Sequence, residues 1–437
     1  MFVPDSVCLG IEVEFLAAQH LSETSRIDDG DHRWVCDPPC RDPYLQQQPI
    51  YKKLTAESPH HWPEASSILK SCEILANLGL PAACPCPSEP DSRNPISQTA
   101  PAGSVFKLAD SSDLRVWNKD ASTSRAGDVS RSDYWFVVRE RHITEDIRNV
   151  PRKSPTQNYY WYGTELNSPV LTRPEEFSQG LPTLRRSLTA IQDNMKVAIN
   201  AGCGLHLHVN DAGKMDLQTA QRVACLVHLL EDSLLMPLSH PSRHTSPYSA
   251  RISVESKIAM QKDIVALQTG SDGAMQLRAL EVLMGQLSGR SKVDNETLEA
   301  LRRIYSQPDL HTLGQALRKF DEGPVHTTRR CALVVSTKHN TIEFRYPAST
   351  FDADYIASWA ALVRHIYAVA MAPADEFSQV LCRVYEVVTR GQAVGWQAVM
   401  QAIEFQGVSA DEWKRCMRDF NGRLKDLDQH GILPPTK

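Results

Sequence analysis

Three short stretches set ionisable side chains two residues apart: Glu12-Val13-Glu14, His206-Leu207-His208 and Glu343-Phe344-Arg345. Side chains of an extended chain alternate between faces, so each pair shares one face, about 7 Å apart along the strand. Their neighbours are apolar: Ile11, Val13 and Phe15; Leu205, Leu207 and Val209; Ile342, Phe344 and Tyr346. Each stretch therefore reads as a strand with one face for a core and the other for chemistry. Glu165, between Thr164 and Leu166, faces opposite to both and marks a fourth such strand. Carboxylates with imidazole suit Mg²⁺ or Mn²⁺. An arginine beside them offers a bidentate fork to a phosphoryl group. Crowded acids repel one another, and metal ions with Arg345 would relieve that repulsion.

Taken singly, each strand has a plainer reading. Glu12 and Glu14 are then solvated, the histidines structural, and Glu343–Arg345 a surface ion pair that stabilises little. Four such strands together point to one sheet with a polar catalytic floor. The histidine pair alone also fits a non-ATP metalloenzyme of the cupin-oxygenase kind. Those enzymes need a glutamate shortly after the pair, and none follows His208 until Glu231.

The elements that must position these groups are α+β. Strands are expected over Val7–Leu16, Val105–Leu108, Leu114–Trp117, Tyr134–Arg139, Tyr159–Leu166 and Leu205–Asn210. Cys331–Thr337 and Thr341–Pro347 form a hairpin around Lys338-His339-Asn340. Apolar residues at helical spacing predict helices over Pro63–Leu80, Pro182–Ile199, Leu217–Met236 and Asp354–Met371, and helical structure over 250–320 and 375–427. Residues 17–62 and the six-proline stretch 81–103 read as irregular insertions. The division expected is a catalytic domain over 1–374 with a helical C-terminal extension over 375–437.

The net charge of −5 argues against a general nucleic-acid binder. No apolar run is long enough to span a membrane, and the N-terminus lacks a basic start, so a cytoplasmic location without a membrane partner is expected. Eleven cysteines, an odd number, are expected to be thiols there. Cys36 with Cys40, and Cys84 with Cys86, lack the two-residue spacing of common zinc sites, which favours unliganded loop cysteines.

The stretches Gly10–Phe15, Glu165-Leu166-Asn167-Ser168-Pro169 and Cys203–Val209, in this order, resemble the amidoligase family, relatives of glutamine synthetase and glutamate–cysteine ligase. Trp117–Ser122 is similar to the family's Asp-Gly-Ser strand end, with Ala121 in the glycine position. Ser239–Tyr248, with Arg243 and Tyr248, resembles its Arg-and-Tyr segment. The resemblance implies a glutamine-synthetase-like curved, mostly antiparallel sheet with flanking helices. It implies an ATP-dependent carboxylate–amine ligase working through an acyl phosphate on small-molecule substrates, an amino acid or peptide among them. Residue by residue, it makes Glu12, Glu14, Glu165, His206 and Glu343 ligands of Mg²⁺ or Mn²⁺. Arg345 becomes the phosphate stabiliser, with Glu343 and Glu165 beside it in the catalytic set. His208 and Arg243, and more weakly Arg139, become candidates for phosphate or carboxylate oxygens. One acidic ligand of that family has no match among these motifs. The alternative is a ligase-like protein that binds a nucleotide or a partner without turnover. Oligomeric state is not encoded in any motif.

Overall fold

The computed structural model describes residues 3–21, 30–36, 62–85, 104–107, 113–117, 133–144, 159–212, 215–260, 271–287, 295–320, 330–389, 395–424 and 432–436. Ten strands form one mixed sheet: β1 Val7–His20, β2 Ala82–Pro85, β3 Ser104–Lys107, β4 Asp113–Trp117, β5 Trp135–Thr144, β6 Tyr159–Asn167, β7 Val197–Ala198, β8 Leu205–Asp211, β9 Leu333–Ser336 and β10 Thr341–Phe344. The order is β3-β4-β2-β5-β6-β1-β8-β10-β9, with β7 pairing β1. Among the described strands, only β2 pairs in parallel, with β4 and β5; the other strand-to-strand pairings are antiparallel. The expected mixture of helices with a mostly antiparallel sheet is thus present, and the sheet is open.

The longer helices are α1 Trp62–Asn77, α2 Pro182–Asn194, α3 Leu217–Leu230, α4 Ser271–Leu287, α5 Asn295–Tyr305, α6 Ala353–Met371, α7 Ala374–Thr389 and α8 Ala410–Leu424. Ile11, Val13, Phe15, Leu205, Leu207, Val209, Ile342 and Phe344 are buried, so the apolar face of each motif strand enters one continuous core. Helix α6 packs on β1 and β8 and also touches α3 and α8. Trp413 of α8 is fully buried, edge-on to Trp359 of α6 at 6.0 Å. Burying a large aromatic contributes roughly 1.5–3 kcal/mol, so α8 is tied to the helical layer.

Several expected boundaries move. β1 runs on to His20 instead of ending at Leu16, because β6 pairs with it as far as His20↔Tyr159. Cys36 adds backbone bonds to Ala18 and His20 of β1, which draws part of the 17–62 stretch into the sheet. Helix α2 stops at Asn194 rather than Ile199. Backbone of Trp34 and Ala18 captures the N–H and C=O of Lys196, and Val197–Ala198 becomes β7. Helix α3 ends at Leu230 and continues as a π-turn over Glu231–Leu235 before a last turn over Met236–Leu238. Residues 82–85, within the proline-rich stretch, form β2. The eight cysteines whose side chains are described are free thiols. Cys36 is buried, whereas Cys40 and Cys86 lie outside the described residues. No described helix is long and apolar enough to cross a membrane.

One polar knot locks the end of the chain to the sheet. Arg33 bonds Asp31 through Nε and Nη2, and its Nη1 donates to the carbonyls of Gln192 and Leu433. Ile432 bridges to Ala198 of β7. These bonds, chiefly those from Arg33, hold the Asp31 carboxyl down at about 2. A depressed carboxyl contributes stability above its unfolded value, 3.8, that is lost as pH falls through the folded one. Asp31→Asn is therefore expected to lower unfolding free energy by about 1 kcal/mol at pH 7. In denaturant titrations across acid pH, that difference should shrink between the two values; a pH-independent difference would contradict this assignment.

Candidate active site

The pairing register collects the polar residues of four adjacent strands, β6, β1, β8 and β10, on one face. Glu12 stands opposite Asn167 of β6 and His206 of β8; Glu14 stands opposite Glu165; His208 stands opposite Glu343. A register slip of one residue would send every one of these groups to the core side. Ser168, just past β6, fixes the register locally: its hydroxyl accepts the N–H of Ile11 and its own N–H donates to the Ile11 carbonyl.

The contacts are close. His206 Nδ1 lies 3.1 Å from Glu12 and 3.8 Å from Glu343, and Nε2 lies 3.6 Å from Glu14. His208 Nε2 lies 3.1 Å from Glu12, and Nδ1 lies 3.1 Å from Thr341 Oγ1. Arg345 pairs with Glu343, and Arg330 lies 3.5 Å from the same carboxylate. Asn167 donates to Glu165 at 2.8 Å. The N–H of Gly204 donates to Glu14 at 2.5 Å.

Charge is distributed unequally over this floor. Burial pushes the Glu12 carboxyl up, but the flanking His208 and His206 outweigh it and hold it well below the usual range. Burial likewise opposes ionisation of Glu343, yet Arg345 and the two histidines bring it down to about 2. Glu14 is raised, mainly by burial. Glu165 is raised well above the usual range by burial and by the charges of Glu12 and Glu14. The cationic side chains present thus serve the β8–β10 side, and the β5–β6 side keeps an excess of carboxylate that a cation would relieve.

Glu140, which lies in none of the sequence motifs, completes that side. It sits on β5, where the pairing with β6 is interrupted between Arg139 and Thr144 by a bulge. Gly163 of β6 admits the bulge: a Cβ there would lie 2.2 Å from the Glu140 carbonyl oxygen and 2.9 Å from that of Ile143. Bulges re-aim side chains beside functional sites, and the pattern Arg139-Glu140-Arg141-His142 gives no period-two signal of a break. Ligand atoms of three groups approach within 4.8 Å of one another: Glu12, Glu165 and His206; Glu12, His208 and Glu343; Glu14, Glu140 and Glu165. Each offers the carboxylate or carboxylate–imidazole donors that Mg²⁺ and Mn²⁺ accept. Glu12 and Glu165 each belong to two groups.

Glu12, Glu14, Glu140, Glu165, His206 and Arg345 of the floor open into a cleft of about 580 Å³, also lined by Arg243, Tyr248, Arg330 and Lys338, whereas His208 and Glu343 do not line it. Arg243 is 1% exposed; its Nη2 donates to the Arg345 carbonyl at 2.8 Å, while Nε and Nη1 have no hydrogen-bond partner. Burial lowers it to about 10, which leaves it a cation near neutral pH. Arg345 Nε is likewise unpartnered. A buried and a partly buried guanidinium, each with at least one unsatisfied N–H group, suit an anion. Of the remaining expected residues, Arg139 is in register with Thr164 and does not line the cleft. Residues 118–122 lie outside the described residues.

Residues 89–269 match a family model described as "Putative amidoligase enzyme". The matched range covers less than half of the chain, and its family is the one that the motifs resemble. The matched range holds Glu140, Glu165, His206, His208 and Arg243; Glu12, Glu14, Glu343 and Arg345 lie outside it and join them through sheet pairing. No curated protein and no solved structure matches the chain.

Two glycines test this geometry. In Gly163→Ala the new methyl meets backbone, not a movable side chain, so a loss of stability of about 1–3 kcal/mol is expected in denaturant titration. In Gly204→Ala the methyl would lie 2.7 Å from His206 Nε2 and 3.2 Å from Glu14 Oε2. That variant should stay folded and bind Mn²⁺ at least about tenfold more weakly by calorimetry, the size of loss typical when a ligand's support is disturbed. Unchanged Mn²⁺ affinity would remove His206 and Glu14 from any metal site.

Proposed function

We propose that this chain is an ATP-dependent carboxylate–amine ligase. Its first step transfers the γ-phosphoryl group of ATP to a substrate carboxylate. A carboxylate oxygen forms the new P–O bond, the bond to the ADP oxygen breaks, and an acyl phosphate results. In the second step an amine nitrogen attacks the acyl carbon. The C–N bond forms, phosphate leaves with the C–O bond electrons, and the amine gives up a proton. The protein's share is positioning and charge neutralisation.

The observation that carries this reading is the gathering of Glu12, Glu14, Glu140, Glu165 and His206 with the guanidiniums of Arg243, Arg330 and Arg345 in one cleft. Glu12, Glu14, Glu165, His206 and Glu343, with Glu140 and His208, are the residues that would hold Mg²⁺ or Mn²⁺. Such ions, when bound, neutralise phosphate oxygens. Arg345, kept cationic by Glu343 and Glu14 against the cost of burial, faces the transferred phosphoryl oxygens. Arg243 offers its unpartnered N–H groups to phosphate or to the substrate carboxylate. The match of residues 89–269 to a putative amidoligase family is consistent with amide-bond chemistry.

The test is a screen of amino acids and small carboxylic acids with MgATP and hydroxylamine, a nucleophile that traps acyl phosphates as hydroxamates. At least one acid should give ADP and hydroxamate in equal amounts, and Arg345→Ala should lower that rate by about 10²-fold or more. MgATP binding with no ADP from any acid would favour the ligase-like binding protein instead.

A further inference from the structure

Glu231 is fully buried, outside the cleft, at the first position of the π-turn that ends α3. Such turns insert an extra residue into a helix and often accompany function. Here the insertion turns a carboxylate inward, where three donors meet it. The N–H groups of Ile252 and Ser253 donate at 2.9 and 2.7 Å, and the hydroxyl of Tyr346 donates at 2.5 Å. Tyr346 immediately follows Arg345, so one carboxylate joins the distal end of the 239–253 segment to the end of β10.

The same segment is joined to β10 at a second point. Arg243 Nη2 donates to the Arg345 carbonyl, and the Arg345 N–H donates to the Ala332 carbonyl. Ser249 in turn donates to the Arg243 carbonyl, and the Ala332 N–H donates to that of Ala250. Arg243 and Arg345 are therefore set by one interlocked frame, and the Glu231 carboxyl is its buried corner.

We propose that Glu231, acting through Tyr346, is a positioning residue: it registers the 239–253 segment against β10 so that Arg243 and Arg345 address one anionic ligand. This rests on the ligase reading only for what that ligand is. Removing the tyrosine hydroxyl leaves the buried ring in place but frees one side of the frame. Replacing the carboxylate by an amide turns one of its two acceptor oxygens into a donor and so breaks at least one of these bonds.

The test uses Tyr346→Phe, Glu231→Gln and the double variant, in the full chain. Each single substitution should lower kcat for hydroxamate formation about tenfold while KM for MgATP stays within about twofold. The double variant should be no slower than the worse single one, because both cut the same link. Amides of residues 249–253 should exchange hydrogen faster in all three. Unchanged kcat, or losses that multiply in the double variant, would overturn the proposal. If the wild type forms no hydroxamate, the ligase reading fails separately. Amide exchange then decides alone: faster exchange in the variants supports the link, and wild-type exchange refutes it.

Discussion

Everything in this structure accommodates one electrostatic constraint: carboxylates crowded and largely shielded from water on one face of a sheet. Like charges at such range disfavour ionisation, as the raised Glu165 and Glu14 display. Opposite charges restore it where they are supplied, as Glu12 and Glu343 display between the two histidines and Arg345. A cluster of this kind is poor material for stability. It costs desolvation that well-packed apolar residues would not, and perturbed groups gathered in a cleft mark function.

The scaffold meets that cost through its other face. β1 lies at the middle of the site, paired to β6 and β8 along most of its length, and its apolar side chains are anchored under α6. Because side chains alternate strictly, a firmly held core face sets the polar face to the same precision. Two glycines extend this control where alternation would fail. Gly163 makes room for the bulge that brings Glu140 to the floor, and Gly204 lets Glu14 and His206 approach one another.

Much of this was legible because alternation is a local code. Each motif strand announced its core face and its polar face within six residues, and the structure placed Glu12, Glu14, Glu165, His206, His208, Glu343 and Arg345 together as that code requires. Arg243 was found through a segment likeness, although nothing in its neighbourhood foretold that it would be buried. What escaped was non-local. Glu140 depends on a bulge whose permission lies in a glycine on the next strand. The early end of α2 depends on backbone partners more than a hundred residues away, which outcompete a good helical pattern. The role of Glu231 hides inside an apolar helix, and only the π-turn reveals it.

The central claim, that the polar floor assembles around metal and nucleotide together, is tested most directly by calorimetry of ATP binding with and without Mg²⁺. The measurement is made on the wild type and on Glu343→Ala. The account predicts that the wild type binds ATP only when Mg²⁺ is present and that Glu343→Ala loses this binding while remaining folded. ATP binding that ignores both the metal and the substitution, or no ATP binding by the wild type under any condition, would contradict it.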